Sequence, residues 1–257
     1  MLRTVNATKY VTPLREGGSL PAIIEADDSG LYVLKFRGAG QGPLALVAEL
    51  VAGEIGRVLG LNVPELVVVQ VDELLGRNEP DTEIRHLLRA SVGLNLALDY
   101  LPGSTMFDPA AGDTVDPTTA STAVWFDAFV MNVDRTARNA NLLRWHKALY
   151  FIDHGAALYW HHNWSNAAQA VKSSFPSIRH HLLLPWAAEL SQADAAARAR
   201  LRTGTFKEIL DRVPDAWLHS EDAVPGRRAM YVELLTRRLA ASSDFLEEAA
   251  RAHAELV

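Results

Sequence analysis

Asn132-Val133-Asp134-Arg135-Thr136-Ala137-Arg138-Asn139, followed by Leu149-Tyr150-Phe151-Ile152-Asp153-His154-Gly155, decides how the rest of the chain is read. The first stretch is a polar loop behind an apolar helical segment, Thr122 to Asn132. The second is a short apolar strand, Leu149 to Ile152, that ends on a carboxylate and a glycine turn. Upstream, Lys9 to Leu14, Pro21 to Glu25 and Leu31-Tyr32-Val33-Leu34-Lys35-Phe36 read as short strands. They are joined by turns at Glu16-Gly17-Gly18-Ser19 and Asp27-Asp28-Ser29-Gly30, rich in residues that tolerate positive φ. Gly38 to Gly42 lacks the Lys-Ser/Thr ending of a Walker A loop and reads as a connection to Pro43. Val47, Val51, Ile55, Val58 and Leu59 then recur at helical spacing up to a capping Gly60. Glu65 to Val71 and Leu94 to Leu101 complete a β-β-β-α-β-β order.

From Pro102 the composition changes. Phe107 to Thr119 is rich in Pro, Asp, Gly and Thr, and Leu182 to Leu201, Thr205 to Val213 and Arg227 to Ala252 are expected to be amphipathic helices. The expected boundary divides the chain into 1–101 and 102–257. The 257 residues, 49% apolar and 22% charged, suit a globular protein with a real core. Absence of cysteine excludes disulfides, thiolate metal sites and cysteine nucleophiles. Met1 to Tyr10 lacks the apolar core of a secretory signal and no window suits a membrane span, so a cytoplasmic protein is expected. With 25 basic against 31 acidic residues, the net charge of -6 argues against a nucleic-acid partner.

Four features then stand in order: Lys35 on a strand, Glu49 on the next helix, the Asp134 to Asn139 loop, and Asp153 at a strand end. Phosphoryl transfer from ATP needs a cation on the phosphates, a carboxylate that orients the attacking hydroxyl, and oxygen ligands for Mg²⁺. Asp134 and Asn139 have the spacing of the loop H-R-D-x-x-x-x-N, and Asp153-His154-Gly155 has the placement of D-F-G. Each residue alone has an ordinary explanation, as a solvated edge lysine, a surface carboxylate or a turn former. Their joint order and context favour a kinase-like site.

These residues resemble the HipA-like kinase family, a bacterial group similar to the phosphatidylinositol kinases. Asp134-Arg135-x-x-x-Asn139 is similar to the lipid-kinase D-R-H-x-x-N loop, and Tyr32 to Phe36 with Ala48-Glu49-Leu50 resembles the family's strand lysine and helix glutamate. The resemblance extends over about residues 9 to 160. It implies an α+β, two-lobed protein-kinase-like fold: a small antiparallel-sheet N-lobe with one helix, and a larger, mainly helical C-lobe. It also implies ATP and Mg²⁺ as cofactors and phosphorylation of a protein serine or threonine. Carried over by position, Lys35 would contact the α/β-phosphates and Glu49 would hold that lysine. Gly17, Gly18 and Ser19 would cover the phosphates, with Ser19 a candidate autophosphorylation site. Leu98 with Asp99, Tyr100 and Leu101 would form the adenine-reading hinge. Asp134 would orient the acceptor, and Asn139 and Asp153 would hold the metal.

Some departures matter. Asn132 stands where protein kinases have the His of H-R-D, Thr136 where lipid kinases have the His of D-R-H, and His154 where D-F-G has Phe. The lysine strand starts near residue 31 and leaves no room for the extra N-terminal subdomain of the HipA toxins, so a toxin role and a DNA-binding antitoxin partner are not carried over. Glu54 rivals Glu49 for Lys35, about 140° away around the helix. Adjacent His161-His162 and His180-His181 are expected at the surface, and Arg135 and Arg138 as exposed loop cations. Trp160 and Trp164 either line a groove or pack beneath the metal loop, and Trp186 lies in the lobe expected to carry the acceptor. A nucleotide-binding module without transfer activity, or a kinase of small-molecule hydroxyls, are the alternative functions.

Overall fold

The computed structural model describes residues 2–14, 20–77, 79–218 and 224–256. Gly17, Gly18 and Ser19 lie outside the described residues.

The first seven elements are β1 (Thr4–Pro13), β2 (Ala22–Ala26), β3 (Leu31–Lys35), α1 (Pro43–Leu59), β4 (Leu66–Val71), α2 (Thr82–Ala90) and β5 (Gly93–Asp99). The strands close into a barrel in the order β1-β2-β3-β5-β4. Every pairing is antiparallel except the closing one, where Thr4 to Asn6 run parallel to Val68 to Gln70. This contact starts β1 five residues earlier than its sequence suggests. It depends on a partner more than sixty positions away, which local alternation does not reveal. Helix α2 is also additional to the expected order. It buries only Ile84 and Leu88 and is marked chiefly by the Asp81 cap on the Glu83 and Ile84 amides.

The barrel interior holds Val5, Ile24, Tyr32, Leu34, Val67, Val69 and Ala97. A second, larger core takes the other face of β4 and β5, most of α1 and the helical remainder of the chain. Helix α1 is apolar on most of its surface, as suits a helix buried on most sides, with Glu49 and Glu54 buried among the apolar residues and Arg57 exposed near its end. Gly53 permits that burial, since a Cβ there would stand 2.9 Å from Leu66 Cδ1. Gly60 ends the helix in the left-handed region at φ 94°.

The remaining elements are β6 (Thr105–Met106), α3 (Pro117–Val130), β7 (Leu142–Trp145), β8 (Ala148–Phe151), α4 (Trp164–Ala170), α5 (Leu190–Arg200), α6 (Thr203–Leu210), α7 (Val224–Ala240) and α8 (Ser242–Ala254). Strands β6, β7 and β8 form a small separate sheet in that order. Asp116 caps the α3 N-terminus through the Thr119 amide. At the other end the buried Arg238 donates to the carbonyls of Ala128 and Phe129, two of the acceptors a helix leaves unpaired. Pro185 confines the expected Leu182 helix to α5, and the expected Arg227 to Ala252 helix breaks into α7 and α8 at Ala241.

Helix α1 is anchored to this helical region. Arg212 pairs with Glu54, Arg200 donates to the Leu59 carbonyl, and Trp217 Nε1 reaches from the same side to Leu94 O at 2.9 Å. Among the described residues no helix is long and apolar enough to cross a membrane.

Candidate active site

Lys35 is the last residue of β3, and its register opposite Leu96 directs it to the barrel face that looks onto α1 rather than to the interior. Its Nζ lies 2.5 Å from Asp153 Oδ1 and 3.7 Å from Glu49 Oε2. The lysine side chain is 11% exposed and that of Glu49 only 1%. Burial alone would lower the Lys35 pKa, but the two carboxylates outweigh it and hold it raised. Burial likewise pushes Glu49 up, and Lys35 together with a hydrogen bond from His154 holds it below the usual carboxylate range. Glu49 is therefore the glutamate that faces the lysine. Glu54, also buried, faces the opposite way and pairs with Arg212 and Arg57.

Asp153 follows β8 with φ 56°, a conformation that non-glycine residues adopt rarely. That turn sends Asp153 toward Lys35 and the next side chain, His154, toward Glu49, with His154 Nδ1 3.3 Å from Glu49 Oε1.

Asp134 lies on the loop after α3. Its Oδ2 accepts from Asn139 Nδ2 at 2.8 Å and, more loosely, from Asn141 Nδ2 at 3.4 Å. The Asn141 amide also reaches the Asp153 carbonyl at 3.5 Å, so one side chain links the two loops. A carboxylate only accepts, so Asn139 turns its nitrogen to Asp134 and leaves its Oδ1 out of that bond. Asp153, 37% exposed at its side chain, and that amide oxygen are oxygen donors of the kind a divalent cation takes. An all-oxygen set of one carboxylate and one amide suits a hard divalent ion shared with phosphates rather than caged by protein alone.

Asp99 ends β5, the strand beside β3, and Tyr100 and Leu101 follow it. The Asp99 amide donates to Glu65 O at 2.8 Å and the Tyr100 amide to Leu31 O at 3.0 Å. Both amides are engaged within the barrel, and the Leu101 carbonyl accepts from the Ser104 amide at 3.2 Å, so these three groups of the expected hinge are already taken. Burial, with Glu65 nearby, raises the Asp99 pKa.

Beneath the Asp134 loop is a buried polar knot. Asp127, one of the last residues of α3, accepts from Arg135 Nε at 2.6 Å, Asn132 Nδ2 at 2.9 Å and His181 Nε2 at 2.8 Å. Arg135 also donates to the Asn141 carbonyl at 2.5 Å and lies over the Phe151 ring. Asn132 Oδ1 receives the Asp134 amide at 3.1 Å. Arg135 is thus not the exposed cation its sequence suggests: it is 1% exposed and holds the loop from below, while Arg138 is exposed. His181 leaves the expected surface for the same reason.

Burial raises the Asp127 pKa, and Arg135 with His181 more than reverses that, holding the carboxyl far below its usual range. Asp127 and Glu49 therefore stabilise the fold fully above the unfolded carboxylate pKa of about 4. That stabilisation is lost as pH falls through their lower folded values. The urea midpoint should fall between pH 6 and pH 3, and fall less in Asp127→Asn. An unchanged midpoint at pH 3 would contradict the ion-paired assignment.

His162 and His180 are exposed as expected, whereas His161 is buried. His161 and His162 lie on a tight 3-10 turn rather than an extended segment, with Nε2 atoms 3.2 Å apart. His161 is buried, meets Tyr231 OH at 2.9 Å, and burial lowers its pKa to about 3. Trp160, Trp164 and Tyr231 pack around it. Among the described residues no group of three or more His, Asp or Glu side chains is placed to hold a metal by itself.

The family model for HipA-like kinases matches residues 8–248. The crystal structure of the Helicobacter pylori proinflammatory kinase CtkA superposes with a TM-score of 0.55 at 15% identity, covering 98% of each chain. The crystal structure of the Golgi casein kinase with Mn/ADP bound superposes with a TM-score of 0.52 at 12% identity, covering 100% of this chain and 75% of the other. At these identities the likeness is one of fold. No curated protein matches the chain.

Proposed function

Because the chain belongs to the HipA-like kinase family, with a kinase fold and a kinase-type phosphotransferase activity, we propose that it moves the γ-phosphoryl group of ATP to a protein serine or threonine hydroxyl in an Mg²⁺-dependent reaction. The observation that supports this most is the meeting of Lys35, Glu49 and Asp153, drawn from three distant segments, beside a loop that presents Asp134 and Asn139.

On this reading residues 1–101 form the nucleotide-binding lobe and 102–257 the catalytic lobe, with α1 of the first packed against α3, α5 and α6 of the second. Lys35 binds the α/β-phosphates, and Glu49 keeps its ammonium group in place. Asp153 and the Asn139 amide oxygen hold the cation, which when bound neutralises charge on the triphosphate. Asp134 uses Oδ1, the oxygen neither amide engages, to orient the acceptor hydroxyl and receive its proton. The segment Asp99 to Leu101 reads the base edge through its remaining backbone groups. Arg135, through Asp127, fixes the height of the loop that carries Asp134. The serine or threonine acceptor rests on family membership.

Incubation with γ-labelled ATP and Mg²⁺, with protein mixtures and small hydroxyl compounds in parallel, tests the proposal. Label on protein serine or threonine is expected. Nucleotide binding without phosphate transfer in any arm would contradict it, and label confined to small compounds would move the acceptor.

A further inference from the structure

His154 occupies the position that carries an apolar ring in the D-F-G arrangement, yet it is fully buried and hydrogen-bonded. Its Nδ1 faces Glu49 Oε1 at 3.3 Å, and its ring meets Phe126 of α3 edge-on at 5.6 Å between centroids. Ionised Glu49 can only accept, so the proton of this bond is on His154 Nδ1. Nε2 is buried without a hydrogen-bond partner, as is Glu49 Oε2, whose nearest cation is Lys35 at 3.7 Å. The buried Glu49 carboxylate thus depends on His154 for hydrogen bonds, with the ring Nδ1–H as its side-chain donor and the main-chain N–H contributing, and on Lys35 for a charge partner. Loss of the donor would leave it free to turn away from the lysine or to be repelled by its apolar surroundings.

The four groups form a closed circuit. Lys35 contacts Asp153, Asp153 is bonded through the main chain to His154, His154 contacts Glu49, and Glu49 faces Lys35. The left-handed turn at Asp153 is what lets two consecutive residues address opposite members of the lysine–glutamate pair. On the kinase reading above, we infer that His154 is a positioning residue: through Glu49 it fixes the phosphate-binding Lys35 and couples α1 to the loop that carries Asp153. The D-F-G arrangement fills this place by apolar packing, whereas here a directional polar contact does so, and its loss should be felt at the lysine rather than only in stability.

The test compares His154→Phe, which keeps ring volume but removes the donor, with His154→Asn, whose amide nitrogen can reach the place of Nδ1. Thermal melts check that each variant folds. His154→Phe should raise KM for ATP about 5- to 20-fold and lower kcat about 10-fold, with His154→Asn recovering most of the loss. In a Glu49→Gln background, His154→Phe should add under about 2-fold, because the contact it removes is already weakened. Independently of turnover, histidine-selective ¹⁵N NMR should show His154 as the Nδ1–H tautomer and a shifted signal in Glu49→Gln.

Wild-type turnover that His154→Phe leaves unchanged, an Asn variant as impaired as the Phe variant, or an Nε2–H tautomer indifferent to Glu49→Gln would each overturn this inference alone. Absence of both nucleotide binding and turnover in the wild type would overturn the kinase reading, even with the tautomer as stated.

Discussion

Asp134→Asn should reduce phosphate transfer by about 10²- to 10⁴-fold, the range for loss of a positioned acid–base group, while ATP affinity changes by less than about 3-fold. The substitution is informative because of how the loop is held. Asn139 and Asn141 both donate to Asp134 Oδ2, and the new amide can offer its carbonyl oxygen to those donors, so loop shape survives. Its NH₂ group then faces the acceptor, where it cannot receive a proton. Lys35 and Asp153, on other elements, retain their contact. Transfer rates from labelled ATP with calorimetric nucleotide binding separate the two effects. Unchanged transfer would remove Asp134 from the role assigned to it, and a matching collapse of binding would show that it shapes the nucleotide site instead.

Asp127→Ala should be the most destabilising single change considered, by about 3–5 kcal/mol, because it leaves the Arg135 guanidinium in the interior without its counter-charge. At 257 residues, and about 2–4 °C per kcal/mol, the melting temperature should fall by about 6–20 °C. The same change removes the acceptor of Asn132 and His181, so the loop from Asn132 to Asn139 should lose both its floor and its activity. Replacing Asp127 and Arg135 together by Leu and Met should cost less than Asp127→Ala alone, since no charge is then left unpaired. A loss under about 1 kcal/mol for the single variant would show that Arg135 finds another partner or water.

Much of this site is legible along the chain, for a definite reason. Lys35 ends an apolar strand run, Glu49 interrupts an apolar helix, and Asp134 and Asn139 stand five apart on one short loop. Asp153 stands at the end of an apolar run, where a strand gives way to a turn. Such signals are local. What escaped is non-local: the pairing of Thr4 to Asn6 with β4, the Asp127–His181 contact across more than fifty residues, and the tether from Trp217 to Leu94.

Arg135 shows the difference most clearly. An arginine beside a catalytic-type aspartate reads equally as a surface cation, and only Asp127, a lone carboxylate within Trp125-Phe126-Asp127-Ala128-Phe129, hinted at a buried partner. The burial of His161 and His181 escaped because a histidine's neighbours, not its sequence position, decide whether it is solvated. The break between α7 and α8 escaped because both halves keep helical periodicity.

The most direct measurement of the central claim is a crystal structure with a non-hydrolysable ATP analogue and Mn²⁺, the ion placed by its anomalous signal. The expected result is the metal within about 2.0–2.3 Å of Asp153 and the Asn139 amide oxygen. Lys35 should then be on the α/β-phosphates, with the γ-phosphate directed toward Asp134. Nucleotide bound away from these residues, or metal held by neither Asp153 nor Asn139, would contradict the account.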